Sequence, residues 1–268
     1  MGVARLVAAP GGPRINVSLV GAPSRPVIMF AHSIGCDLTL WDRQVAALRN
    51  DFQIVRYDAR GHGLSDAPPG EYTISDLAAD ALSVLDAFEL QSVHLCGLSL
   101  GGTLGQWLAL HAPHRLASLI LCNTSARLGT VEGWQSRIEA VKAGGTASIA
   151  DMSMTRFFSD RFRAQEPETV GRFRETLIET PDNGFAGCCA VLRDCDFRAQ
   201  LGQMSTPTLV IAGALDLPTP VADSEELVQG IANAKLVVLD AGHISAVEAP
   251  EAFNAVLRGH IDGMLRGA

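Results

Sequence analysis

The segment Gly97-Leu98-Ser99-Leu100-Gly101-Gly102 combines a serine with small neighbours, between an apolar run, Ser92–Cys96, and a helical pattern, Leu100–His111. In that context G-x-S-x-G predicts a sharp strand-to-helix turn, with the serine in a strained conformation and its hydroxyl raised above the sheet edge. A serine hydroxyl is a weak nucleophile at neutral pH and needs a base. Of the seven histidines, His243 is the best placed, because Asp240-Ala241-Gly242-His243 follows the apolar run Lys235–Leu239. His94 lies inside a strand-like run and reads as core. His260 lies late in a terminal helical pattern and reads as surface, and His32 and His62 sit in turns. Asp216, after the run Thr208–Ala212, ends at the same sheet edge and can orient the imidazole. Taken alone, Asp216 is an ordinary turn or cap residue and His243 an ordinary turn histidine. Their placement at the ends of successive runs, in the order Ser99, Asp216, His243, points instead to acyl transfer through a serine ester. The oxyanion of such a reaction needs two donors. The backbone N–H of Leu100 and that of Ile34, in the turn His32-Ser33-Ile34-Gly35, are the expected pair.

These residues must be held by a sheet. Short apolar runs at Ile15–Val20, Val27–Phe30, Ile54–Tyr57, Ser92–Cys96, Leu119–Cys122, Thr208–Ala212 and Lys235–Leu239 alternate with helical patterns. The helical patterns are Leu38–Leu48, Ile74–Phe88, Leu100–His111, Ser224–Gly230 and Pro250–Leu265. Ser75 has the cap residue type at the head of the second, with Asp76 in its first turn. Several runs are apolar on both faces, as in a parallel sheet covered by helices, so the pattern predicts a mostly parallel, doubly wound α/β fold. Between Ser125 and Gln200 no good strand occurs. Amphipathic stretches there (Val131–Val141, Ile149–Phe158, Glu168–Glu179) predict a helical lid, residues 125–200, inserted into a core of residues 1–124 and 201–268.

A 268-residue chain with 47% hydrophobic and 19% charged residues has ample apolar surface for a core, which excludes disorder. A net charge of −8 argues against nucleic acid and anionic membrane as partners. No apolar run reaches a membrane span, and Met1–Pro13 has no apolar h-region, so a cytoplasmic location is expected. The six cysteines (Cys36, Cys96, Cys122, Cys188, Cys189, Cys195) read as reduced thiols. Metal-binding spacings are missing, and His111 and His114 read as a helix end and its flank, so no metal site is expected.

The quoted motifs, together with Asp58-Ala59-Arg60-Gly61-His62-Gly63-Leu64-Ser65, resemble the α/β-hydrolase superfamily over nearly the whole chain. Ser33 departs from the glycine commoner there. The resemblance implies the α/β-hydrolase fold, a Ser99–Asp216–His243 triad and no cofactor, with Arg60 and His62 as scaffold. Asn123–Gly129, Trp134–Ile138 and Gly187–Asp194 look like the corresponding stretches of 3-oxoadipate enol-lactonases. That likeness implies a small anionic lactone as substrate. The lid carries ten Lys or Arg against eleven Asp or Glu, so it is nearly neutral on an acidic body. Arg127, Arg137 and Arg193 are its candidates for a carboxylate clamp, and Trp134 for a wall against the ring. The same triad also serves a carboxylesterase, a C–C bond hydrolase of ring-cleavage products or a perhydrolase. A non-catalytic ligand-binding homologue is the alternative of a different class.

Overall fold

The apolar runs pair into one sheet, which satisfies their backbone N–H and C=O groups while helices cover the apolar faces. A computed structural model describes residues 3–8 and 11–267. Within Met1–Pro13, read above for a leader, Met1, Gly2, Ala9 and Pro10 lie outside the described residues. The strands are β1 (Val3–Val7), β2 (Ile15–Val20), β3 (Val27–Ala31), β4 (Gln53–Tyr57), β5 (Val93–Leu98), β6 (Leu116–Cys122), β7 (Thr208–Gly213) and β8 (Lys235–Leu239). They form an eight-stranded sheet in the order β1-β2-β4-β3-β5-β6-β7-β8. The pairs β1–β2 and β2–β4 are antiparallel, and the rest of the sheet is parallel. Strand β1 has no counterpart among the sequence-predicted runs; Arg5 interrupts its apolar pattern, and pairing with β2 fixes it.

The helices of the body are α1 (Asp42–Leu48), α2 (Ile74–Ala87) and α3 (Leu100–His111). A 3₁₀ turn at Leu38–Trp41 precedes α1, so the predicted continuous helix is broken. The cap of α2 is Thr73 and not Ser75: Thr73 accepts from the Asp76 N–H while Asp76 accepts from the Thr73 N–H, a reciprocal capping box. Between β6 and β7 the chain is helical, as α4 (Val131–Gly144), α5 (Ala150–Phe157), α6 (Asp160–Gln165), α7 (Pro167–Glu179) and α8 (Asp182–Asp194). Helix α8 escaped the sequence reading because Phe185–Leu192 is buried on all sides and shows no polar stripe. After β7 follow α9 (Val221–Gly230), a short α10 (Ser245–Glu248) and α11 (Pro250–Gly267).

The interior strands β5 and β7 are buried along their whole length, which suits a sheet covered on both faces. His94 sits in that core, its Nδ1 2.8 Å from Ser118 Oγ. His260, expected on the surface, is half-buried and lines a groove with Leu209 of β7 and Lys235 of β8. All six cysteines are buried free thiols. Among the described residues, no helix is long and apolar enough to cross a membrane.

Candidate active site

The turn at Ser99 is built by close backbone approach. Ser99 adopts φ 56° and ψ −109°, a region costing about 1–3 kcal/mol for a residue with a side chain. A Cβ at Gly97 would lie 2.1 Å from the Gly101 carbonyl oxygen, and one at Gly101 would lie 2.2 Å from that of Ala31. Glycine is therefore required at both positions for α3 to start directly above β5. Below the turn, Thr124 Oγ1 donates to the Ser99 carbonyl at 3.0 Å.

His243 follows β8, and its Nδ1 lies 3.1 and 3.0 Å from the two Asp216 oxygens. Asp216 accepts further bonds from the Thr219 N–H (2.9 Å), Thr219 Oγ1 (2.6 Å) and Asn123 Nδ2 (2.9 Å). Burial favours the neutral carboxyl, but the facing His243 and the bonds from His243 and Thr219 outweigh it. Asp216 thus stays below its usual range and ionised. Asn123 also donates to the Gly242 carbonyl at 3.2 Å and accepts from Ser245 Oγ at 2.5 Å. Phe157 of α5 stacks on the His243 ring, centroids 5.9 Å apart. Asp216 binding leaves Nε2 of His243 as the free ring nitrogen. Ser99 and His243 line one cavity, although no direct hydrogen bond joins them among the described residues.

That cavity is about 190 Å³ and is walled by Ile34, Leu128, Trp134, Phe157 and Pro218, with Arg137 and Arg156 as its charged members. Trp134 is held by donation from its Nε1 to the Leu128 carbonyl at 2.5 Å, and the Arg137 guanidinium stacks 5.2 Å from its ring centre. Burial, opposed by Cys189 and reinforced by the neighbouring Arg156, destabilises the Arg137 cation relative to solvent. Neither Arg137 nor Arg156 has a carboxylate partner among the described residues.

The other sequence-predicted arginines are placed elsewhere. Arg193 is committed to Glu71 and Asp194, each at 2.8 Å, and to Gln135 at 3.0 Å. Its charge is already neutralised, and it is not among the cavity residues. Arg127 pairs with Asp196 at 3.6 Å and faces a separate polar depression with Glu132 and Asp223. Sequence reasoning missed Arg156, Asn123 and Thr219. Thr219 had a signal, since a Thr three residues after an Asp in a turn is a natural partner of its carboxylate. Arg156 had none, because its approach depends on how α5 packs.

The backbone N–H groups of Ile34 and Leu100 find no protein acceptor among the described residues. Around them, Asp58 accepts from Asn16 Nδ2 and from the Leu38 and Leu64 N–H groups at 2.7–2.9 Å. Arg60 donates to Asp80 at 2.6 and 2.8 Å in a buried pair. Asp58 thus holds the turn after β4 together, and Arg60 ties that turn to α2. Among the described residues, no group of three or more His, Cys, Asp or Glu is placed to hold a metal ion.

The mostly parallel sheet, the strained serine between β5 and α3, and an aspartate and a histidine beyond the ends of β7 and β8 define a class. The chain belongs to the α/β hydrolase fold family, whose model matches residues 26–250. It is 40% identical to 3-oxoadipate enol-lactonase 2 of Acinetobacter baylyi over 240 residues, 90% of each chain. Among solved structures it is similar to an enol-lactonase from Burkholderia xenovorans (36% identity, TM-score 0.93, 96% of this chain and 99% of that one). A hydrolase from Pseudomonas aeruginosa is 43% identical, with TM-score 0.92 and 98% coverage of both chains.

Proposed function

We propose that the protein is a serine hydrolase that opens a small lactone bearing a carboxylate, with 3-oxoadipate enol-lactone as its substrate. The observation carrying this reading is the shared cavity: Ser99, His243 and the half-buried Arg137 line the same space of about 190 Å³. An unpaired guanidinium behind apolar walls lacks a counterion, and a substrate carboxylate supplies one. The identity to enol-lactonases across nearly the whole chain supports the same substrate.

In this mechanism His243 Nε2 takes the Ser99 proton as Oγ attacks the lactone carbonyl, and Asp216 holds the imidazole and stabilises its cation. The Ile34 and Leu100 N–H groups receive the oxyanion. The ring C–O bond breaks, and the imidazolium returns its proton to the departing enolate oxygen. The resulting enol becomes the ketone of 3-oxoadipate. Water, deprotonated by His243, attacks the acyl-serine, and Ser99 regains its proton as the second carboxylate leaves. Arg137 holds the first carboxylate throughout, with Trp134 against the ring. Helices α4–α8 act as the lid, and no cofactor takes part.

The test is kcat/KM for the enol-lactone beside p-nitrophenyl acetate, in the wild type and in Ser99→Ala. A strong lactone preference that Ser99→Ala abolishes is expected. Comparable turnover in Ser99→Ala sinks the nucleophile assignment, and a clear preference for the neutral ester sinks the substrate.

A further inference from the structure

His32 and His62, both buried, tie two loops together reciprocally. His32, on the loop after β3, accepts the Ala59 N–H at Nε2 (2.9 Å). His62, on the turn after β4, accepts the Gly35 N–H at Nε2 (2.9 Å). Their rings lie 5.4 Å apart. Accepting at Nε2 requires that each ring carry its proton on Nδ1. For His32 that proton is donated to the Ser33 carbonyl at 2.7 Å. For His62, Nδ1 lies 3.3 Å from the Arg60 carbonyl.

The consequence lies in one peptide plane. The Ser33 carbonyl also accepts from the Cys36 N–H at 3.2 Å, closing a tight turn with Gly35 at φ 71°. In a trans peptide the N–H points opposite to the carbonyl of the same unit. Two donors on the Ser33 oxygen therefore aim the Ile34 N–H the other way, and Ile34 lines the cavity beside Ser99. The Gly35 N–H is consumed by His62 and the Cys36 N–H by Ser33, which leaves the Ile34 N–H unspent. Gly35 is further fixed from above, since a Cβ there would meet Leu177 Cδ1 of α7 at 2.6 Å.

We infer that His32 and His62 are positioning residues: a reciprocal, tautomer-fixed brace that presets the Ile34 amide as oxyanion donor. The inference rests on the hydrolase reading above and names residues that the reading leaves as scaffold.

The test uses the full-length protein with His32→Leu and His62→Leu, and with His32→Asn and His62→Gln. An Asn amide at position 32 reproduces the Nδ1 donor, and a Gln oxygen at position 62 reproduces the Nε2 acceptor. Misaiming one oxyanion donor is expected to lower kcat roughly 10- to 100-fold in the leucine variants. KM should move little, and inhibition by a small alkyl boronic acid, whose serine adduct places an oxyanion in the hole, should weaken in step. Asn and Gln should restore most of both. Leucine variants with wild-type kcat overturn the brace. So do Asn and Gln variants no better than leucine, or a lowered kcat with unchanged boronate affinity. If the leucine variants do not melt cooperatively, His32→Asn against His32→Gln decides, since only Asn places its amide near Nδ1; equal kcat overturns the proposal. Turnover that survives Ser99→Ala removes the hydrolase reading itself, whereas Ser99-dependent turnover untouched by the brace variants removes only the brace.

Discussion

Asp216→Asn isolates what the proposed orienting carboxylate does. Both oxygens of Asp216 are saturated by donors: the Thr219 N–H and His243 Nδ1 meet one, while Asn123 Nδ2, Thr219 Oγ1 and His243 meet the other. An asparagine must turn its NH2 toward one of these sets. Facing Thr219, it opposes a backbone N–H that cannot reverse. Facing Asn123, it opposes an amide whose oxygen is already engaged by Ser245. In either orientation a buried donor loses its acceptor, at about 1–3 kcal/mol. The same change lets His243 bond through the wrong nitrogen, leaving Nε2 protonated and useless as a base. For this kind of substitution the loss in kcat is about 10⁴-fold in the general triad case. The assay is kcat on the lactone and on p-nitrophenyl acetate, with urea unfolding on the same preparations. Both substrates should lose kcat by roughly 10³- to 10⁴-fold, and the midpoint should fall. Activity within tenfold of wild type, or a loss confined to KM, would refute the reasoning.

Arg137→Met should raise KM for the anionic lactone at least about tenfold, since a charged hydrogen-bonded contact is lost. The KM for the neutral ester should barely move, and equal effects on both exclude a carboxylate clamp at Arg137. Arg193→Gln should leave both KM values unchanged and cost at most about 1 kcal/mol in chemical unfolding, because its partners are solvent-facing; a selective rise in lactone KM would return Arg193 to the site. Burial, then the neighbouring His32, pushes His62 down to about 3, against the bond that its ring donates to the Arg60 carbonyl. Burial and His260 push His94 down to about 4. Both are neutral when folded yet take up protons when unfolded below about pH 6.5. Stability is therefore full above that pH and is lost as pH falls toward 3–4, by up to about 1.4 kcal/mol per pH unit for each ring. Urea midpoints between pH 7 and 4.5 check this, and a flat profile would contradict it.

Ser99, Asp216 and His243 were legible in the chain because each sits at the end of a strand whose apolar run is itself legible. Strand ends in a parallel sheet share one edge, so residue type and order sufficed to bring them together. The parallel arrangement followed from runs apolar on both faces. The turn at Ser33–Gly35 was legible too, but its hold on the Ile34 amide was not. That hold depends on ring nitrogens of His32 and His62 meeting amides 27 positions away, a distance only folding closes. The arginines of residues 125–200 divided in the same way. Sequence could nominate Arg127, Arg137 and Arg193 by charge, but a guanidinium's role depends on whether a carboxylate reaches it first. Arg193 meets Glu71, brought in across the fold, while Arg137 and the unforeseen Arg156 turn into the cavity. Local pattern fixes where backbone elements end; long flexible charged side chains take their partners from tertiary packing.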